Sequence, residues 1–453
     1  MNLYDITHLL VNQSEAHGAS QVEVFAAKAE TSSIYIDDNI PKISDSKVEF
    51  GVGLKFILGK KIGFTSSTLL SEKPLDIVRR AMSVATISNE DSKFVSLPTP
   101  KKASGNASRF FDKDTANADG AILSDKCMEL VQNANAEIVT VPNGVLRASS
   151  IEFRVANNLG IDAGSKSTAV FGYFTAKADD GSQVGEGVQR VWSRRLSDID
   201  FAAKGEKLRQ QALDVIAAKP LKSGMKDAVA VIASSEASAL VGDVVGDAAS
   251  AENINNRSSP WTDKVGANVV HESLSVTDNG KSKLGLMSAL VDDEGVPTSK
   301  TKVLENGVLK SYLFDSYNAA QVNLKSTGNG FRRGVRDVHG SFTGMVSCRN
   351  STLEVPAGSK SVEEIIAEIS KGVYIEHFAY PIVDSLSGAF SNEIRNARLI
   401  KNGELKGQIK YALLVGNLYD SLKEEVFIAS DPEVHGSRFM PTMGFQGVEV
   451  VGQ

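Results

Sequence analysis

The sequence predicts an α+β fold, with an N-terminal domain of antiparallel sheet and packed helices, followed by a β-rich, mixed C-terminal domain. Two series of strand-like runs, over about 21–70 and 139–195, are flanked by segments in which apolar residues recur at helical spacing. Asn-Gly pairs at 306–307 and 402–403 lie between β-prone runs, a strong short-range signal of a hairpin. At 453 residues the chain is also too long for one ordinary core.

The first half of the chain alternates helices and strands. The first helix is predicted from apolar residues at helical spacing between Leu3 and Leu10, and Gly18 can end it. The second strand series is expected to pair with the first. The predicted elements are, in order, a helix over 2–16, an antiparallel meander of four runs separated by short polar turns over 21–70, a helix over 75–87, a polar loop over 88–119, a helix over 121–134, the second strand series over 139–195 and a charged amphipathic helix over 198–218.

A domain boundary is expected in the segment KPLKSG, residues 219–224, because it combines Pro, Gly and two lysines just after a helix. We therefore predict an N-terminal α+β domain over 1–220 and a C-terminal β-rich domain over 221–453. The second half opens with AVAVIAS, a run typical of a buried strand.

Composition and charge argue against several classes of protein. The net charge of −6 and the pI near 5.7 disfavour a nucleic-acid partner bound through its phosphates. Cys127 and Cys348 are far apart, so a disulfide framework or a cysteine-based zinc knuckle is not expected, and a reducing compartment fits. The N-terminus has no basic region before a long apolar one, and no run reaches the ~20 apolar residues that span a bilayer. We expect a soluble, cytoplasmic protein without a membrane partner.

Common catalytic motifs are missing from the sequence. The six histidines are too widely separated for two of them to share a helix face, as a HExxH zinc site requires. There is no G-x-S-x-G elbow, and the glycine spacings do not match phosphate-binding loops.

The segment over 234–252 predicts a packed helix with one apolar stripe. Asp243 and Asp247, four residues apart, lie on a neighbouring face beside Gly242 and Gly246. Simple exposure of these carboxylates is favoured over a metal site, because a hard cation needs more oxygen ligands than this helix supplies.

The block over 291–333 is dense in charged and turn-forming residues. Its three consecutive acids, Asp292 to Glu294, run into Gly295, and they predict a turn in which carboxylates accept backbone N–H bonds without any catalytic role. The following segment over 326–333 is predicted to be a flexible loop with exposed backbone donors. Its guanidinium groups suit carboxylates or phosphates, although a solvated loop without any ligand is the simpler alternative.

This block resembles the TldD/PmbA (TldE) family of metallopeptidase subunits, also described as modulators of DNA gyrase. The resemblance extends to GVGLKFILGKKIGFTSS near the start, to AVAVIASSEASALVGDVVGD and to the terminal MPTMGFQGVEVVGQ, and so to essentially the whole chain. In TldD-type subunits the helix written here as LVGDVVGD carries a HExxxH zinc motif, and a cysteine near the C-terminus is a further ligand. The resemblance puts Gly242 at the first histidine, Asp243 at the glutamate, Asp247 at the second histidine and His435 near the cysteine.

Since both imidazoles are missing, the resemblance implies a PmbA/TldE-type subunit without a metal of its own, and zinc is expected in a TldD-like partner. It further implies a heterodimer that cleaves peptides in a closed cavity, in proteolysis or peptide maturation, with Asn329, Arg332 and Arg333 as candidate contacts of an extended peptide. Two alternatives to this subunit role remain open. One is a stand-alone homodimeric peptide-binding protein, and the other is an enzyme that uses Asp243, Asp247 and His435 around a different metal.

Overall fold

The computed structural model describes residues 2–68, 72–332 and 338–452. It confirms the α+β fold, with an antiparallel sheet in the N-terminal part and mixed sheets in the C-terminal part. The helices of the described residues are α1 Leu3–Ala16, α2 Pro74–Ile87, α3 Lys113–Ala116, α4 Gly120–Ala134, α5 Phe201–Ala217, α6 Ser234–Ala249, α7 Ala251–Asn255, α8 Ser316–Gln321, α9 Val338–Thr343, α10 Val362–Ala367 and α11 Leu418–Ser421. Across these described ranges, no helix is long and apolar enough to cross a membrane.

The N-terminal sheet has six antiparallel strands in the order β3-β2-β1-β4-β5-β6. The pairing of β1 with β4 confirms that the two strand series form one sheet. Helices α1, α2, α4 and α5 pack on one face of it. The strands are β1 Gln21–Asp37, β2 Ile40–Leu58, β3 Lys61–Ser67, β4 Val139–Asn157, β5 Asp162–Asp179 and β6 Val184–Ser193.

Strand β1 shows how the sequence assigns the two faces of this sheet. Successive side chains of a strand point to opposite faces, so residues of equal parity share a face. The even-numbered residues from Val22 to Ala26 pack under the helices, whereas Phe25 and Ala27 pack against the C-terminal half through Val291. The separate runs predicted within 21–37 were wrong in one respect, because the polar residues near Thr31 continue the strand and do not form a turn.

The largest sheet of the C-terminal half contains both parallel and antiparallel strand pairs. Its strands lie side by side in the order β15-β8-β22-β18-β16, and an additional pairing of β15 with β16 closes these five strands into a ring. Helix α6 lies in the same apolar core. The strands are β7 Lys219–Pro220, β8 Met225–Ile232, β9 Val276–Asn279, β10 Lys300–Glu305, β11 Val308–Leu309, β12 Gly330–Phe331, β13 Ser347–Cys348, β14 Leu353–Glu354, β15 Lys371–Phe378, β16 Ala389–Lys401, β17 Glu404–Lys410, β18 Ala412–Asn417, β19 Phe427–Ile428, β20 Glu433–Val434, β21 Arg438–Met440 and β22 Met443–Val451.

Both Asn-Gly hairpins are confirmed. Asn306 and Gly307 have φ of 47° and 77° between β10 and β11, and Asn402 and Gly403 have φ of 50° and 79° between β16 and β17. Positive φ at both central residues is the geometry that Asn-Gly favours. The division into 1–220 and 221–453 stays a prediction. The segment at that division forms β7, which pairs with β17 of the C-terminal half.

Candidate functional site

Helix α6 combines a buried apolar face with closely approached glycines. Its apolar residues from Ala237 to Ala249 are buried in the C-terminal core. A Cβ atom built on Gly242 would lie 2.2 Å from Nε of Arg438, so any larger residue here would have to displace this side chain. Gly242, which the resemblance puts at the first histidine of the zinc motif, therefore faces the guanidinium group of Arg438.

Arg438 extends from the start of β21 across α6. Its Nη2 forms an ion pair with Asp243, and its Nη1 donates to the carbonyl oxygen of Ala239 at 3.4 Å. The Arg438 side chain is 21% exposed, so the contact is only partly screened by water. The pair gives Asp243 a cationic partner supplied by the chain itself.

His435 lies at the other end of the helix. The hydroxyl of Ser234, the first residue of α6, donates to the carbonyl oxygen of Met440 at 2.6 Å, and Nε2 of His435 lies 2.8 Å from the same hydroxyl oxygen. Because the Ser234 hydroxyl proton is donated to Met440, we assign a proton to Nε2 of His435, which donates to the hydroxyl oxygen. Burial lowers the pKa of His435 to about 4, so the ring is neutral at physiological pH.

These residues do not form one metal-binding group. Asp247 is exposed and accepts a hydrogen bond from Ser385, whereas His435 contacts Ser234, roughly 13 Å along the helix axis from Asp243. Within 2–68, 72–332 and 338–452, no three His, Cys, Asp or Glu side chains are grouped to hold a metal ion. The residues present do not fit zinc, because Gly242 has no donor atom and a cation lies over it.

The three acids of the block over 291–333 are buried in a turn and accept backbone N–H groups, which confirms the predicted turn. Oδ1 of Asp292 accepts the backbone N–H groups of Glu294 and Val296 at 3.0 and 2.9 Å, and its Oδ2 accepts that of Gly330 at 3.0 Å. Oδ2 of Asp293 accepts the backbone N–H of Arg332 at 2.7 Å. The turn therefore docks on β12.

Burial without sufficient positive charge raises the pKa of two of these acids. The pKa of Asp292 lies well above its usual range, because of burial and of the neighbouring Glu294. The pKa of Glu294 is raised to about 7 by burial and by the charges of Asp315 and Glu23, while Lys55 opposes the shift.

An ion-paired cluster joins this turn to the N-terminal sheet. Glu23 of β1 has no exposed surface, and its Oε1 lies 3.3 Å from Nζ of Lys55 on β2. The same oxygen binds Nη2 of Arg332, whose side chain is also fully buried. These cations lower the pKa of Glu23 despite its burial. The guanidinium of Arg332 also lies 5.3 Å from the ring centroid of Phe25.

The prediction of a flexible, exposed loop over 326–332 was wrong. Asn329 is 1% exposed, its Nδ2 donates to Asp278 at 2.6 Å, and its Oδ1 accepts from Thr327 at 2.6 Å. The contacts of Asn329 and Arg332 favour structural roles, and peptide binding by these two residues stays a prediction. Arg333 lies outside the described residues.

Comparison with known proteins identifies the family. The profile of the PmbA/TldA metallopeptidase C-terminal domain matches residues 226–452, that of domain 1 matches 22–85 and that of the central domain matches 115–215. The chain belongs to the TldD/PmbA metallopeptidase family.

Relatives and a solved structure agree with the family. A protein of Methanocaldococcus jannaschii named a metalloprotease is 25% identical over 419 residues, which cover 88% of each chain. The TldD homolog of Buchnera aphidicola subsp. Acyrthosiphon pisum is 32% identical over 173 residues, 38% of this chain and 34% of that protein. The crystal structure of TldE from Thermococcus kodakarensis has the same fold, with a TM-score of 0.87 at 23% identity, over 99% of this chain and 100% of that one.

Sequence reasoning did not single out Arg438, Glu23 or Lys55. A signal was available for the two strand residues, because each is a charge between apolar neighbours in a run that reads as buried strand, VEVF and GLKF. For Arg438 the available signal was its position three residues after His435 in a turn containing Gly436. In this member of the TldD/PmbA family, the region of α6 provides an ion pair and a neutral histidine.

Proposed function

We propose that this chain is a metal-free, PmbA/TldE-type subunit of a TldD/TldE-type metallopeptidase complex. It acts in proteolysis or peptide maturation in the cytoplasm, where it shapes the peptide-binding chamber of a heterodimer. The partner is a TldD-like subunit that carries the HExxxH motif and the zinc. The observation that carries the proposal is the guanidinium of Arg438, which covers Gly242 and pairs with Asp243 where the family resemblance puts the metal motif.

An open groove on the N-terminal sheet supports the part of the proposal that concerns the peptide. It has a volume of about 380 Å³ and lies on the sheet face opposite the helices, beyond the part of β1 that packs on the C-terminal half. Tyr35, Arg147, Phe171 and Trp192 line it, and the rings of Phe171 and Trp192 are 4.5 Å apart. Aromatic side chains next to hydrogen-bonding groups suit the side chains of an extended peptide.

The test is co-expression of this chain with a HExxxH-bearing relative, followed by size-exclusion chromatography and a peptide-cleavage assay on each fraction. We expect activity to co-elute with a species that contains both chains, and to exceed the activity of either chain alone. Chelator-sensitive cleavage by this chain alone would overturn the proposal. A homodimer that binds peptide without any partner-dependent activity would instead favour a stand-alone binding protein.

A groove variant sharpens the same experiment. Trp192→Ala should raise the KM of the complex about tenfold without preventing its assembly, because an aromatic anchor is lost. Tyr380→Ala is the matched control, since Tyr380 is 75% exposed and lies outside the groove. Equal KM values for the two variants would remove the groove from the proposal.

A further inference from the structure

A second cavity, of about 350 Å³, lies between the two halves of the chain. One wall is contributed by Lys55 on β2 and by the segment over 91–98, which follows α2. The opposite wall is contributed by Glu294 and by the first residues of α8. Met345, which is 45% exposed, lies at its edge, so the cavity is connected to the surface.

A hydroxyl group next to the carboxyl group of Glu294 has unused hydrogen-bonding capacity. Glu294 is 3% exposed, and its Oε2 accepts the backbone N–H of Ser316 at 2.8 Å. The side-chain hydroxyl oxygen of Ser316 is buried and has no hydrogen-bond partner among the residues that the structure describes. Buried polar atoms without partners are uncommon in native proteins and call for an explanation such as a ligand.

The charges around Glu294 are unbalanced. It faces Asp315 at the start of α8, Glu23 on β1 and Asp292 in its own turn. The cations near it are Lys55 on β2 and Arg332 directly after β12, which both bind Glu23, and the exposed Lys93, which lines the cavity. Lys55 is already paired with Glu23 at 3.3 Å. The raised pKa of Glu294, about 7, is the result expected for a carboxyl group that is buried beside the charges of Asp315 and Glu23 without a cation of its own.

The other walls define the kind of cation that fits. Phe94 and Leu97 are each 5% exposed, and together with Ile62 they give the cavity an apolar side. The described residues group no three His, Cys, Asp or Glu side chains around a possible metal position. An organic cation with an apolar stem therefore suits the cavity better than a metal ion.

We propose that this cavity binds a primary ammonium group on an aliphatic or aromatic stem, with Glu294 as its ion-pair partner and the Ser316 hydroxyl as a hydrogen-bond acceptor. In a peptide, this group is either the free amino terminus or a lysine side chain. The choice of a peptide rests on the proposed function, but binding to the cavity does not require a partner subunit.

The test measures the binding of three fluorescein-labelled pentapeptides to the full-length chain by fluorescence anisotropy at pH 6, 7 and 8. One peptide has a free amino terminus and no lysine, the second is N-acetylated with one lysine, and the third is N-acetylated with norleucine in place of lysine. We expect at least one of the first two to bind and the third to bind about tenfold more weakly, since it lacks the ammonium group. Which of the first two binds identifies the source of the ammonium group.

Three variants locate the binding. Glu294→Gln and Asp315→Asn should each weaken binding about tenfold, and Asn at 315 keeps the N-cap of α8. Glu305→Gln is the matched control, because Glu305 is an acid outside the cavity that pairs with Lys302 and Lys310. Affinity of the native chain for the lysine peptide, whose ammonium group stays charged up to pH 8, should rise from pH 6 to pH 8 as Glu294 ionises, and the Glu294→Gln variant should lose this dependence.

Equal affinity for all three peptides, no binding of any of them between pH 6 and pH 8, or unchanged binding to Glu294→Gln would overturn the proposal. If peptide cleavage with a HExxxH-bearing partner remains in that case, the subunit role stands and only this site is removed. If the chain binds the ammonium group but shows no partner-dependent cleavage, this site stands and the subunit role is removed.

Discussion

Replacing Glu294 with Gln should stabilise the protein at pH 8 and flatten the pH dependence of its unfolding free energy. In the folded chain the pKa of Glu294 is about 7, against an ordinary value of 4.5. Between these values the unfolded chain releases this proton while the folded chain retains it. The unfolding free energy therefore falls as the pH rises from 4.5 to about 7, and it levels off above that.

The magnitude follows from the pKa difference. One pH unit corresponds to about 1.4 kcal/mol, so ionisation of Glu294 costs about 3 kcal/mol at most at pH 8. Glutamine removes that cost, and its carbonyl oxygen can still accept the backbone N–H of Ser316. Its amide group also adds a donor beside the carboxylate of Asp315.

The assay is urea denaturation of the ligand-free protein at pH 5, 6, 7 and 8, followed by the fluorescence of Trp192 and Trp261. Other buried acids titrate in both proteins, so the difference between the native chain and the variant reports the contribution of Glu294 together with its coupling to Asp292, whose pKa the charge of Glu294 raises. Glu305→Gln serves as the control and should leave the slope unchanged. If Glu294→Gln has the same slope as the native chain between pH 5 and pH 7, the carboxyl group is ionised throughout and the reasoning is refuted.

Three further predictions concern the other buried contacts. Glu23→Gln should destabilise the chain by about 3–5 kcal/mol in urea, because Lys55 and Arg332 lose their shared anion, and a loss below about 1 kcal/mol would contradict the cluster. Gly242→Ala should lower the unfolding free energy by about 1–3 kcal/mol, because its Cβ atom clashes with Arg438. The same substitution should cost nearly nothing in a chain that already carries Arg438→Ala, and equal costs with and without Arg438 would exclude the clash. His435 should titrate near pH 4 in a proton NMR titration, in which a His435→Gln variant assigns its signal. The unfolding free energy should fall as the pH drops from about 6.5 towards 4, because only the unfolded chain gains this proton in that range. A titration midpoint near 6.5 would contradict the burial of His435.

The features that the sequence predicted correctly are local ones. An Asn-Gly pair determines its own turn, because both residues tolerate positive φ, and apolar spacing determines which face of α1 or α6 is buried. The acids from Asp292 to Glu294 were likewise recognisable as turn residues, because Asp292 accepts the backbone N–H groups of Glu294 and Val296 within the turn itself.

The features that were missed depend on pairs that are distant in sequence. Glu23 and Arg332 are 309 positions apart, so no local pattern shows that the segment over 326–332 is fixed by a buried anion and not exposed to solvent. The separation of His435 from Asp247 likewise depends on Ser234 and Ser385, which the chain brings to different ends of α6. Local patterns thus predicted the elements, but not which of their side chains meet.

The contact between Gly242 and Arg438 constrains the order in which mutations can change this helix. A histidine at 242 introduces a Cβ atom 2.2 Å from Nε of Arg438, so that substitution has to displace the arginine and break its pairing with Asp243. Losing Arg438 first leaves Asp243 without its cation, but that carboxylate is 47% exposed and water can solvate it. The easier evolutionary path towards a metal-binding helix therefore begins with the loss of the arginine on β21, before a gain of imidazole on α6.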